Sequence, residues 1–407
     1  MRILAALAFA AFASAAPPAQ AQAQPAGPAE AAFERCRSDD FAAERGCYES
    51  ALHERLAQSG AGEAVAMLDR LAALDEDVRR EGHMYAHGIG IAALRSLDEV
   101  GPVFASCTPD FQSGCYHGVI QSYFLALQRG GGEVTTETID ALCAAWRGPP
   151  VNSFLLFQCT HGIGHGLTIL HGHDLPRALA DCDLMSREWE RESCYGGAFM
   201  ENVVNETHPH HLIAEGTQAV PAGHGPHDHG DTATASTWRA LDPDDLHYPC
   251  SRMEAKYLNA CYTIQTAAML HFTNQDHGRA AAECALAPER VRDTCFVSLG
   301  RDLSGIAAVD PAEAVRLCGL AEASYQPTCH AGIVQSLVNL NTRSEIGLAY
   351  CRLVPADSKR ACYRAVGDQA AILPDGGERR QAACASAEPG YAEACLGVPP
   401  AEAGMLR

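Results

Sequence analysis

The alternation of apolar and polar residues predicts pairs of helices, most clearly between Arg279 and Ala307. An Ala-rich run ends at Cys284, Pro288 opens a turn, and Cys295 begins a second apolar run, FVSLGRDLSGIA. We therefore expect a helix A that ends near the first cysteine and a helix B that starts near the second.

This two-helix pattern repeats along the chain, and the cysteine at the start of helix B sets its register. A period of 33 or 34 residues is typical of stacked helical hairpins. We predict an all-α fold, an α-solenoid of about ten such repeats, in which the second (about 61–94) has lost both cysteines. The regularly spaced anchors, with Glu81 in place of a cysteine, are Cys47, Glu81, Cys115, Cys261, Cys295, Cys329, Cys362 and Cys395.

The 18 cysteines form nine consecutive pairs, and we predict one disulfide within each repeat that contains cysteines. An even number in an exported chain is typical of a disulfide framework, and the constant gap of 11 residues in six pairs favours nearest-neighbour connection. Each bridge should contribute a little under about 3 kcal/mol. The predicted bridges are Cys36–Cys47, Cys107–Cys115, Cys143–Cys159, Cys182–Cys194, Cys250–Cys261, Cys284–Cys295, Cys318–Cys329, Cys351–Cys362 and Cys384–Cys395.

The period and the paired cysteines together resemble those of tetratricopeptide-like, disulfide-stapled helical-repeat proteins secreted by bacteria. The resemblance covers most of residues 30–398 but lacks the tetratricopeptide Trp-Leu-Gly-Tyr signature, and the cysteine spacing is wider. It implies an α-solenoid and carries no implication about activity.

The N-terminus predicts export. Arg2 precedes an apolar run from Ile3 to Ala16, and Ala19-Gln20-Ala21 forms a small-x-small cleavage site, so we expect residues 1–23 to be a signal peptide. Its removal changes the formal charge from −20 to −21. This acidity disfavours nucleic acid and anionic membranes as partners, and no later run is long enough for membrane insertion. We predict a periplasmic or secreted protein.

Histidines recur at two positions of the repeat, two and six residues after the helix B anchor, in the first four of the five N-terminal repeats (24–205). Six of these eight positions are histidine, although the chain has only 18 in 407 residues. Residues four apart share one face of a helix, and stacked helices B should align these faces. We predict a metal site, mononuclear or dinuclear, for Zn, Cu, Fe or Ni. The predicted ligands at these positions, counted also from Cys159, are Glu49, His53, His83, His87, His117, His161 and His165; the eighth position is Gln121, which is a gap in the pattern.

Further candidate ligands lie near these eight positions, which we call the histidine column. Met200, at the second position of repeat five, offers a thioether, Glu201 beside it a carboxylate, and His171 and His173 follow the helix of repeat four. Glycines within the helices B of repeats three to five predict either close helix packing or close approach of a ligand. They are Gly118, Gly162, Gly164, Gly166, Gly196 and Gly197.

A His-rich insertion, residues 206–248, separates these repeats from the regular repeats at 249–398. It lacks helical periodicity, so we predict a loop that either binds metal loosely or is a polar linker. Its histidines are His208, His210, His211, His224, His227 and His229, accompanied by Asp228 and Asp231.

Three functions fit these features. The first is an exported metal-binding repeat protein, with a catalytic role left open. The second is a scaffold whose groove binds a protein or peptide without metal, and the third is a periplasmic metal buffer that acts through its His-rich loop. The chain has no H-E-x-x-H, C-x-x-C-H, C-x-x-C, phosphate loop or G-x-S-x-G motif, which leaves no catalytic residues to name.

Overall fold

The computed structural model describes residues 27–148, 151–207, 238–373 and 375–397. These residues form α-helices and short 3-10 turns, with no strand among them, which confirms the predicted all-α class. The α-helices of the described ranges are α1 Pro28–Cys36, α2 Phe41–Ser59, α3 Ala61–Leu74, α4 Glu76–Arg80, α5 Gly82–Ala93, α6 Val100–Ser106, α7 Gly114–Arg129, α8 Thr136–Leu142, α9 Ser153–Leu170, α10 Leu175–Cys182, α11 Glu188–Thr207, α12 Leu258–Tyr262, α13 Gln265–Phe272, α14 His277–Leu286, α15 Glu289–Val309, α16 Pro311–Cys318, α17 Gln326–Asn341, α18 Ser344–Cys351, α19 Ala356–Ile372, α20 Gly376–Ala385 and α21 Ala392–Cys395.

The helices follow the predicted alternation of helix A and helix B. Helix B of one repeat packs against helix B of the next through the N-terminal half, from α2 to α5, α7, α9 and α11. The same succession continues through α13, α15, α17, α19 and α21. This order of contacts is consistent with the predicted α-solenoid. Leucine, alanine and aromatic side chains from both helices of each repeat fill one continuous core.

All nine predicted disulfides are present, and the described residues contain no free cysteine. Each bridge joins the end of a helix A, or the turn that replaces it, to the first turns of the following helix B, with Cα–Cα distances between 5.3 Å (Cys384–Cys395) and 5.9 Å (Cys143–Cys159). The bridges therefore fix the angle between the two helices of a repeat.

Glycines allow some successive helices B to approach each other closely through their backbones. A Cβ atom added at Gly164 of α9 would lie 2.0 Å from the Cys194 carbonyl oxygen, and one at Gly197 of α11 would lie 1.9 Å from the His161 carbonyl oxygen. We call two helices joined in this way a glycine-clamped pair. The sequence left two explanations for these glycines, close helix packing and close approach of a ligand. At Gly118, Gly164 and Gly197 the explanation is close helix packing. The other clamped pairs are α5/α7 (Gly90, Gly118), α15/α17 (Gly300, Gly332) and α19/α21 (Gly367).

These contacts correct the register of repeat two. Gly118 faces the carbonyl of His87 as Gly197 faces that of His161, and Gly90 faces the carbonyl of Cys115. By this equivalence the anchor of repeat two is Tyr85, and the anchor predicted at Glu81 is one helical turn too early. The repeat has no cysteine to mark its register, and the short helix α4 adds residues before helix B.

Part of the predicted loop insertion is packed against α11. The indole Nε1 of Trp238 donates to Asn202 Oδ1 at 3.0 Å, and Asn202 Nδ2 donates to the Ala240 carbonyl at 3.0 Å. Leu241 is buried beside them. The predicted signal peptide and the histidines between 208 and 229 lie outside the described residues. Among the helices described, we find none with the length and hydropathy needed to span a bilayer.

Candidate metal centre

Five histidines from three successive helices B form one continuous cluster. On α5, the His83 ring lies 6.1 Å from His87 and 5.8 Å from His117 of α7, measured between ring centroids. The His117 ring in turn stacks on His165 of α9 at 4.6 Å and lies 5.6 Å from His161. The alignment of helices B that was predicted from the repeat therefore brings these five side chains together.

The centre of the cluster is a buried triad of His117, His161 and His165. One ring nitrogen from each lies within 4.8 Å of those of the other two, and the side chains belong to residues that are only 4–8 % exposed. The Nε2 atoms of His161 and His165 are 3.3 Å apart. Two imidazole nitrogens on a tetrahedral zinc ion, each bonded at 2.0–2.1 Å, are separated by about 3.3 Å. His161 and His165 therefore have the spacing of two ligands of one metal ion, and a nitrogen of His117 lies within 4.8 Å of both.

The outward-facing nitrogens of these rings are held by the protein. His165 Nδ1 lies 2.9 Å from Oε2 of Glu201, a fully buried carboxylate on α11. The Nδ1 atom of His161 also faces α11, beside Gly196. A ring that donates through Nδ1, as His165 does to Glu201, presents the lone pair of Nε2 on its other side. The Nε2 atoms of His165 and His161, 3.3 Å apart, can therefore share a proton or bind one metal ion.

A left-handed turn before α7 places a hydrogen-bond partner beside the Nδ1 atom of His83. Phe111, Gln112 and Ser113 have φ values of 52°, 55° and 63°, and such non-glycine conformations cost roughly 1–3 kcal/mol each. The turn brings the Phe111 carbonyl to 2.9 Å from His83 Nδ1. Strain of this kind often occurs at functional sites, and here it fixes the orientation of a ring in the cluster.

Burial keeps two rings of the triad neutral. It lowers the pKa of His161 to about 3, an effect that His165 strengthens and the Ser193 backbone opposes. Burial also lowers the pKa of His117 well below its usual range, with the neighbouring histidines acting in the same direction. Neutral imidazole is the form that binds metal, so His117 and His161 remain available as ligands through the physiological pH range.

Neither ring nitrogen of His117 has a hydrogen-bond partner among the described residues, although the residue is only 4 % exposed. A buried polar atom without a partner costs about 1–3 kcal/mol. A polar lining that served only to hydrogen-bond helix ends would leave no such atoms. The condition of His117 therefore fits a ring whose partner is a ligand.

Several predicted ligands lie apart from the triad. Glu49 forms an ion pair with Arg45 at 3.0 Å, and the half-buried His53 has no ring contact with the other histidines among the described residues. His171 Nε2 lies 2.6 Å from Asp181 Oδ2. Within the described chain, the predicted column thus narrows to helices α5, α7 and α9.

Met200 and His173 were also predicted as additional ligands, and they differ in their contacts. Met200 is half-buried and packs against the hydrophobic core. His173 Nε2 lies 3.4 Å from Glu201 Oε1, so Glu201 contacts two histidines. Sequence reasoning missed the Phe111 carbonyl, because a backbone atom carries no sequence signal. It also missed Phe157, whose half-exposed ring stacks on His161 at 5.2 Å.

Comparisons of the chain with protein-family models, curated proteins and solved structures found no match. The chemical possibilities therefore follow from the site itself. Three buried imidazoles, one of them oriented by a carboxylate, suit a borderline metal ion such as Zn, Cu, Ni or Fe.

Proposed function

We propose that this chain is an exported helical-repeat protein that binds a divalent transition-metal ion through His117, His161 and His165. The observation that carries the proposal is the buried triad, in which one ring nitrogen of each histidine lies within 4.8 Å of the other two and the Nε2 atoms of His161 and His165 are 3.3 Å apart. A metal ion would replace the contact between these two Nε2 atoms with two bonds. It would also give the unpaired His117 ring a partner.

The surroundings of the triad support binding of an ion in this place. His83 and His87 approach His117 from α5, on the side away from α9. They extend the imidazole cluster beyond the triad. Glu201 supplies the buried negative charge that partly offsets a divalent cation, acting through its hydrogen bond to His165.

The disulfides support export. Nine bridges in one chain require an oxidising compartment, and reduced cytosol would not maintain them. Together with the predicted signal peptide, they favour the periplasm or the extracellular space. Metal binding in that compartment competes with fewer thiol buffers, so a site built from imidazoles alone is sufficient there.

The test is the metal content of the protein, purified without a His-tag and dialysed. We expect a stoichiometric ion, and we expect His161→Ala/His165→Ala to abolish its retention because both rings belong to the triad. His83→Ala/His87→Ala should weaken retention to a smaller extent. The control is His271→Ala, since His271 is exposed and its ring contacts Phe272, away from the cluster.

Two results would contradict the proposal. Full metal content in the His161/His165 double variant would place the ion elsewhere. Metal that is lost when residues 208–231 are deleted, but kept in the double variant, would assign binding to the His-rich insertion and favour the buffer function. Wild-type protein without any ion, even after incubation with Zn²⁺, would leave the scaffold function as the better explanation.

A further inference from the structure

Gln121 occupies the place of a histidine in the cluster. It lies six residues after the anchor Cys115, as His165 lies six residues after Cys159, and it follows His117 by one turn of α7. Residues four apart on a helix share a face, with Cβ atoms about 5–6 Å apart. Gln121 therefore belongs to the same face of the same helix as His117.

The Gln121 side chain shares the unusual condition of His117. The residue is only 3 % exposed, and its Oε1 atom has no hydrogen-bond partner among the described residues. Across the part of the chain that the structure describes, the buried side-chain nitrogen and oxygen atoms without partners are three: His117 Nδ1, His117 Nε2 and Gln121 Oε1. Buried polar atoms are nearly always hydrogen-bonded. Three exceptions on one face of one helix indicate a common cause.

We propose that Gln121 Oε1 is the fourth ligand of the ion held by His117, His161 and His165. The proposal rests on the proposed metal-binding function and completes its donor set as three nitrogens and one amide oxygen. An amide carbonyl oxygen is a neutral, hard donor that divalent cations accept and Cu⁺ disfavours. The set therefore selects Zn²⁺ or another divalent ion over Cu⁺.

Four protein ligands also define the kind of site. Tetrahedral zinc sites with four protein ligands are structural, whereas catalytic sites keep one position for water or substrate. With Gln121 bound, no position remains for a metal-bound water molecule. The site then stores an ion or stabilises the fold, and it does not hydrolyse a substrate.

The test compares Gln121→Leu with Gln335→Leu, using Zn²⁺ titration and thermal unfolding of the metal-free and zinc-loaded proteins. Gln335 is the matched control because it holds the same position, six residues after Cys329, in a repeat without the histidine column. We expect Gln121→Leu to lower zinc affinity by at least about tenfold. The metal-free variant should unfold at the same temperature as wild type or higher, because it no longer buries an unpaired oxygen. Gln335→Leu should leave zinc affinity unchanged.

Co²⁺ absorption gives an independent measure of the coordination. Four-coordinate Co²⁺ absorbs visible light much more strongly than six-coordinate Co²⁺. We expect an intense spectrum in wild type, a changed one in Gln121→Leu, and a restored four-coordinate spectrum in Gln121→Glu, whose carboxylate can take the place of the amide.

The outcomes separate this inference from the function on which it rests. Wild-type zinc affinity and an unchanged Co²⁺ spectrum in Gln121→Leu would overturn the role of Gln121 while leaving the triad in place. A metal-free Gln121→Leu protein that unfolds at a lower temperature than wild type would show a structural role and overturn it as well. Failure of the wild type to bind either ion would instead refute metal binding as a whole.

Discussion

The adjacent glycines of α11 should respond to alanine in opposite directions. A Cβ atom at Gly197 would lie 1.9 Å from the His161 carbonyl oxygen, within the glycine-clamped pair α9/α11. A Cβ atom at Gly196 would meet only the His161 ring, at 3.5 Å, which is an ordinary contact. Both positions are inside the same helix, so the gain in helix propensity is the same for both substitutions.

The structure sets the expected magnitudes. Replacing a glycine by alanine inside a helix gains up to about 1 kcal/mol, and Gly196→Ala should keep most of it. Gly197→Ala must move the two backbones apart by about 1 Å, because Cβ contacts below 3.0 Å do not occur. No side-chain rotation can relieve this contact, and overpacking typically costs about 1–3 kcal/mol or more. We expect Gly197→Ala to be less stable than Gly196→Ala by about 1–3 kcal/mol.

The same displacement should reach the metal centre. The bond from His165 Nδ1 to Glu201 Oε2 crosses from α9 to α11, and separating the helices by about 1 Å stretches it from 2.9 Å beyond hydrogen-bonding distance. Gly197→Ala should therefore lower zinc affinity about 10–100-fold, as is usual when the partner of a ligating histidine is lost. Gly196→Ala should bind zinc like the wild type.

The assays are urea unfolding followed by circular dichroism, and zinc titration of the folded proteins. The two variants serve as controls for each other, since they differ by one position along α11. Equal stability of the two would show that the close backbone approach of α9 and α11 is wrong. Reduced stability of Gly197→Ala with unchanged zinc affinity would show that Glu201 does not orient His165 for a metal ion.

Three further predictions concern acid, reduction and the insertion. Burial lowers the pKa of His330 to about 4, so on acidification the unfolded chain binds the proton before the folded protein does. The free energy of unfolding should therefore fall by up to about 3 kcal/mol as pH drops from about 6.5 to about 4. His330→Leu should show a smaller fall in the urea midpoint between pH 7 and pH 4.5, and parallel curves for variant and wild type would contradict this. Reduction and alkylation of the cysteines should remove most helical circular dichroism at 25 °C, because bridges worth about 3 kcal/mol each together exceed the usual stability of about 5–15 kcal/mol; a reduced chain that stays helical would refute it. Deletion of residues 208–231 should leave urea unfolding cooperative, because Trp238 remains anchored on Asn202; loss of several kcal/mol would show that the deleted segment is packed.

The cysteine spacing was sufficient to predict most of the fold. The gap of 11 residues between Cys284 and Cys295, which recurs in six of the nine pairs, indicates a turn of constant length between two helices, so the repeat and its disulfides could be predicted. Repeat two was misplaced by one turn because Tyr85 stands where a cysteine would mark the anchor. Only the backbone contacts of Gly90 and Gly118 revealed the correct register.

The candidate site could be predicted only in part, because helical periodicity shows which side chains share a face but not their other contacts. Helical periodicity places His117, His161 and His165 on aligned faces, and the structure brings them together. Periodicity does not show what else a side chain can reach, so Glu49 was included although Arg45, one turn before it, takes its carboxylate. Gln121 was read as a gap in the column, because its unpaired oxygen becomes visible only once its burial is known.

The glycine-clamped pairs have a mechanical consequence for the N-terminal half. The backbones of α5 and α7, and of α9 and α11, approach closely at glycines, whereas Gly162 and Gly166 of α9 face mainly the side chains of Ile120 and Phe124. Because side chains can rotate, we expect the array to bend more easily at this junction than within either pair. An ion bound by His117 on one side and by His161 and His165 on the other would cross-link the junction and fix its angle. Metal occupancy would then determine the local curvature of the array and the shape of the surface that it presents.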